Sequence, residues 1–185
     1  MMQNERIKTN PNISHIINFS LFTRDEFGQT RIHRAVRSGD VITLKTIICT
    51  WFINFNEKDK NGRTPLHIAA QNGYVGSLRV LLSLRCINLN IQNRFGNAPL
   101  HRANLRCHLD CVWALLAHPC ISLSLDNNLH ESVFDVAAIS NQPQCLNILL
   151  QRSYYLKSRK DAFPLHHCIL SNNIAQIAHI LKRKQ

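Results

Sequence analysis

The densest run of reactive side chains in this 185-residue chain is Cys107-His108, Cys111, His118 and Cys120, thiols and imidazoles of the kind that hold zinc. Asp135 with a nearby Cys or His has the residue types of a proton-transfer dyad. A third set is cationic and aromatic: Arg34, Arg37, Arg63, Arg94, Arg102 and Arg106 with Phe27 and Phe95. Arginine and aromatic residues are the types enriched where proteins bind one another most strongly. Which of these sets can act depends on the elements that hold them.

Those elements follow a repeat. Thr64-Pro65-Leu66-His67 has relatives at a step of 34 residues: Thr30-Arg31-Ile32-His33 before it, then Ala98-Pro99-Leu100-His101 and Ser132-Val133-Phe134-Asp135. Phe163-Pro164-Leu165-His166 follows after 31. Gly28, Gly62 and Gly96 precede the motif by two residues, and Gly39 and Gly73 follow its Thr by nine, the places of a hairpin tip and a helix end. Small residues recur at Ala35, Ala69, Ala103, Ala137 and Cys168. An apolar quartet with steps of 3, 3 and 1 comes next: Val41, Leu44, Ile47, Ile48, with counterparts starting at Val75, Leu109, Pro143 and Ile174. That spacing puts four side chains on one helical face. Each unit is therefore expected to be a short helix, a tight turn, a second helix and a polar connector such as Asn54-Phe55-Asn56. A fixed period of this size marks a stack in which each unit buries its apolar face only against its neighbours.

The stretch Asp59-Lys60-Asn61-Gly62-Arg63-Thr64-Pro65-Leu66-His67-Ile68-Ala69-Ala70-Gln71-Asn72-Gly73, ending at Asn90, resembles an ankyrin repeat almost residue for residue. The resemblance runs from Asp25 to about Lys182 and implies an all-α repeat solenoid of helix-turn-helix units with β-hairpin or loop connectors. Residues 1–24 are expected to form a capping extension, with a helix near 13–22. Repeats are expected over 25–58, 59–92 and 93–126, a degraded fourth over 127–157 and a capping fifth over 158–185. His130 stands at a hairpin glycine position and Asp135 at a motif His, so the fourth hairpin is expected to be distorted. The connector 151–157 is expected to be short. The motif histidines are expected to bond the backbone of the neighbouring unit.

Against that register the zinc reading weakens: Cys111 falls in the repeat core, Cys107 replaces a helix-end glycine, and His108 sits where such repeats often carry histidine. Asp135 reads as a hydrogen-bonding substitute for a motif His. No metal, no cofactor and no enzymatic activity are expected. Seven cysteines with no secretory signal point to a reducing compartment, cytoplasmic or nuclear. No run of 18 apolar residues occurs, so no transmembrane segment is expected.

Function is then left to the surface. In ankyrin proteins partners are bound by hairpin tips and by the exposed face of the first helices, which here implicates Phe27, Lys60, Arg63, Arg94, Phe95 and Leu129 on the tips. On the first helices it implicates Arg34, Arg37, Arg102, Leu105 and Arg106. The expected function is a monomeric scaffold that sequesters, inhibits or recruits an acidic protein. The alternative is electrostatic binding of nucleic acid or an anionic membrane, favoured by the net charge of +11 and by two basic clusters, Arg152, Lys157, Arg159 and Lys160, then Lys182-Arg183-Lys184. No nucleic-acid module is present. With no further domain expected, the chain resembles small ankyrin-only inhibitors and the stand-alone ankyrin proteins that intracellular bacteria and viruses direct at host proteins. The host cell is thus a candidate location.

Overall fold

Each unit begins with a turn built by one side chain. The computed structural model describes residues 23–49 and 53–157, of which 154–157 as backbone alone. In it Asp25, Asp59, Asn93 and Asn127 each accept two backbone N–H groups on one oxygen, from the residues two and four positions on. A short acidic or amide side chain that bonds its own following backbone closes a turn locally. Gly28, Gly62 and Gly96 then take positive φ, and so does His130, at 59°. The fourth hairpin, expected to be distorted, is not: Asn127 N–H donates to Glu131 O at 2.9 Å and His130 N–H to Asn127 O at 2.9 Å, matching the Asp59 and Gly62 bonds of the second unit. Asn127 imposes the turn from its own side chain, and His130 takes the left-handed conformation at a cost of roughly 1 kcal/mol.

Helices follow the turns. They are α1 (Arg31–Arg37), α2 (Val41–Ile48), α3 (Pro65–Asn72), α4 (Val75–Leu82), α5 (Pro99–Leu105), α6 (Leu109–Leu116), α7 (Val133–Ile139) and α8 (Pro143–Lys157). Pro65 and Pro99 occupy the first helical position, where the missing N–H has no intrahelical partner to lose. Helices of seven or eight residues are marginal alone in water, so contacts between units must hold them. First helices pack in the order α1, α3, α5, α7 and second helices in the order α2, α4, α6, α8, each first helix also lying on its own second. The core runs between the layers: Leu44, Leu78, Leu81, Val112, Leu115 and Leu149 have no solvent exposure. Ala69, Ala103 and Ala137 are equally buried, as small residues between close helices must be.

Polar joints repeat beside the apolar ones. His33 Nε2 donates to Arg63 O at 3.0 Å and His67 Nε2 to Asn97 O at 2.9 Å, each reaching the next unit's backbone as expected. His101 Nε2 faces Glu131 without reaching hydrogen-bond geometry. Connectors interlock through Asn56, which accepts from Asn88 N–H and donates to Cys86 O, and Asn90, which does the same with Ser122 and Cys120. Among the described residues the only bridge of β type is Asp126 with Ser132, so the connectors are stacked turns and loops.

One boundary differs from expectation. Residues 151–157 are not a short connector but the last turns of the 15-residue α8. No Gly or Pro interrupts 144–157, whereas Pro119 follows α6. No described helix is long and apolar enough to cross a membrane. The expected capping helix near 13–22 and the fifth repeat over 158–185 lie outside the described residues.

Candidate protein-binding surface

The ends of the first helices form one side of the stack. Arg37, Gln71, Leu105 and Ile139 are the same position in successive units, in the last turns of α1, α3, α5 and α7. Two depressions lie along this side. The first, about 330 Å³, is lined by Phe27, Arg37, Asn61, Arg63, Gln71 and Asn72 among others. The second, about 600 Å³, is lined by Arg37, Gln71, Asn72, Tyr74, Arg106 and His108. Their shared residues join them into one groove, and no acidic side chain lines either.

The arginines divide by what already holds them. Arg63 is clamped on the buried Asp59 carboxylate through Nε and Nη2, both at 2.8 Å. Burial alone would raise the Asp59 carboxyl, but hydrogen bonds from the Arg63 side chain and backbone hold it below its ordinary value. Arg102 is half-buried: Nη2 donates to Gln71 Oε1 at 2.9 Å and Nε is buried without a partner. Burial, then the adjacent charges of Arg106 and Arg63, push its guanidinium below the ordinary value. Arg34 and Arg37 are exposed and lean on Gln29, Arg34 also lying 4.0 Å from Asp25. Lys60, Arg94 and Arg106 are exposed.

Apolar groups accompany them. Phe27, Phe95 and Leu129 stand on the tips at 53%, 63% and 74% exposure. The backbone beneath each of the first two is tied to the next turn, Lys60 N–H donating to Phe27 O and Asn128 N–H to Phe95 O. Leu105 is exposed at the end of α5 and Ile139 at the end of α7. Ile139 was absent from the sequence-based set although it lies 34 residues after Leu105, and so was Tyr74, which the groove exposes. Trp113 on α6 and Ile42 on α2 are also exposed, on the second-helix layer.

The two other arrangements dissolve into scaffold. Cys111 is buried, and burial pushes its thiol up to about 11. His108 Nε2 donates to Gln71 O at 3.0 Å, Cys120 N–H donates to its neighbour His118 Nδ1, and Cys107 faces Cys145. Among the described residues no three His, Cys, Asp or Glu are gathered to hold a metal. Asp135 Oδ2 accepts from Ser132 N–H at 2.9 Å and Ser132 Oγ at 2.7 Å, capping α7 as the motif histidines cap the other first helices.

Residues 8–93 and 32–124 match a family model described as ankyrin repeats (3 copies), together more than half of the 185 residues. No curated protein matches the chain. Repeats of this kind generally mediate protein–protein interaction, and proteins built from them are typically not catalysts. From the stacked helix pairs, the turn at each unit's start and this match, the chain belongs to the ankyrin-repeat family.

Proposed function

We propose that this chain is a non-catalytic scaffold that captures an acidic protein along its first-helix groove and hairpin tips, thereby sequestering, inhibiting or recruiting it. The observation that carries this reading is the groove itself, lined by Arg37, Arg63 and Arg106 with no acid, beside exposed apolar groups. Arg34, Arg37, Lys60, Arg94 and Arg106 supply charge. Phe27, Phe95, Leu105 and Leu129, with Ile139, supply contact area that excludes water around it. Arg102, held from behind by the neutral Gln71, adds positive potential, while Arg63, neutralised by Asp59, lines the groove with its guanidinium. The basic part of the first-helix side belongs to the first three units and its apolar part to the third and fourth. The partner surface is therefore acidic at one end and apolar at the other. The chain acts as a monomer in a reducing compartment, of the producing cell or of a host.

Salt separates this from binding by charge alone. At about 0.3 M salt, where charges are screened beyond roughly 6 Å, random-sequence nucleic acid and anionic vesicles should be released. A protein held partly by Phe95, Leu105 and Ile139 should remain. Retention of nucleic acid or vesicles at that salt, with no protein retained, would overturn the scaffold reading.

A further inference from the structure

Cys107 and Cys145 come from different units, yet their sulfurs lie 3.5 Å apart, Cys145 donating a hydrogen bond to Cys107. Cys107 holds the loop between α5 and α6 at a φ of 53°, where Gly39 and Gly73 end the first helices of units one and two. A cysteine there is strained where glycine would not be. Cys145 sits in the first turn of α8 and is fully buried, while Cys107 is partly exposed.

We propose that Cys107 and Cys145 are a thiol–disulfide exchange site, oxidised by a low-molecular-weight disulfide such as oxidised glutathione to a bond that staples the third repeat to the fourth. Cys107 reacts first because a small disulfide can reach it. Its thiolate attacks one sulfur of the reagent, whose S–S bond breaks; one thiolate leaves and takes up the proton that Cys107 gave. The mixed disulfide on Cys107 then faces Cys145. Cys145 gives up its proton and attacks Cys107 Sγ, and the second small thiolate leaves and takes up that proton. In sum two protein thiols are oxidised, one small disulfide is reduced to two thiols, and a strong dithiol reverses the exchange. Closure needs the sulfurs to approach from 3.5 Å to about 2.05 Å, a shift within reach of side-chain rotation and a loop. Burial, with the Cys107 sulfur beside it, pushes the Cys145 thiol up to about 12, which shields it from outside reagents and leaves attack on the adjoining Cys107 sulfur as its open route. The staple locks the joint between the units that carry Leu105 and Ile139.

The test treats the folded full chain with oxidised glutathione, blocks remaining thiols with N-ethylmaleimide, and maps cysteines by peptide mass spectrometry. The expected product joins Cys107 to Cys145, has lost two hydrogen atoms and keeps no glutathione. Two conservative variants guard against misfolding. Cys145→Ser installs the residue that unit two carries at this register, the buried Ser77, and should stop the reaction at a lasting glutathione adduct on Cys107. Cys107→Gly restores the glycine of the earlier units and should leave Cys145 unreacted. A lasting adduct on Cys107 in the unaltered chain, no reaction at Cys107, or a comparable yield of any other cysteine pair would overturn the proposal.

Discussion

His67 is held so that it must stay neutral. Thr64 N–H can only donate, and it points at His67 Nδ1 at 3.1 Å, with Thr64 Oγ at 2.8 Å; the ring proton is therefore on Nε2, facing Asn97 O. Burial lowers the ring from its ordinary 6.5 to about 4, and His33 and His101 shift the same way for the same cause. Between pH 6.5 and 4 the unfolded chain binds a proton at His67 that the folded chain refuses. The stability this site contributes is therefore complete above pH 6.5 and declines as pH falls toward 4. At pH 5 the loss is roughly 2 kcal/mol for a histidine shifted this far. Thermal melts should show a melting temperature that drops steadily from pH 7 to pH 5. A flat profile would mean that the motif histidines are not buried as neutral rings. Arg63 makes a second case at this scale. Removing it leaves the buried Asp59 carboxylate without its cation, so Arg63→Ala should destabilise by about 3 kcal/mol or more, far above an exposed arginine such as Arg94. Equal melting temperatures for the two alanine variants would contradict the clamp.

At the scale of elements, two left-handed positions predict opposite outcomes for opposite substitutions. Gly73 has a φ of 73°, and a Cβ there would meet His108 Nδ1 at 2.7 Å. Gly73→Ala should therefore cost more than the roughly 1 kcal/mol of the backbone alone. His130→Gly removes strain without touching the Asn127 bonds and should stabilise by about 0.5–1 kcal/mol. Denaturant midpoints measured for both variants check the pair; a destabilised His130→Gly would show that the contacts of the imidazole outweigh the strain it imposes. The same hairpin marks a limit of legibility. The helices, their apolar quartets and the His joints were readable because each recurs at 34 residues, and periodicity reports what packing between units requires. The fourth hairpin differs from expectation because glycine is not the cause of the turn: the Asx bond made by Asn127 carries it. The length of α8 is hidden for a related reason: its extension breaks the period, and no residue in it announces a stop.

For the whole molecule, the register could say which arginines lie on the first-helix side but not which are engaged. Asp59 and Gln71 take up Arg63 and Arg102, and such pairings depend on rotamers and on the neighbouring unit, which a sequence pattern does not contain. Ile139 shows the converse, a position the register already marked and composition overlooked. The first-helix side of the stack passes from cationic to apolar, and this side, not the second-helix layer, is the proposed seat of the protein partner. The most direct measurement compares affinity capture from a eukaryotic lysate, at about 0.3 M salt, by three forms of the chain: unaltered, Phe95→Ala with Arg106→Ala, and Lys45→Ala on the exposed side of α2. All three should melt within a few degrees of each other, since Phe95 and Arg106 are exposed. The account predicts a protein retained by the unaltered and Lys45→Ala chains and reduced at least tenfold with the double variant. Equal capture by all three would contradict it.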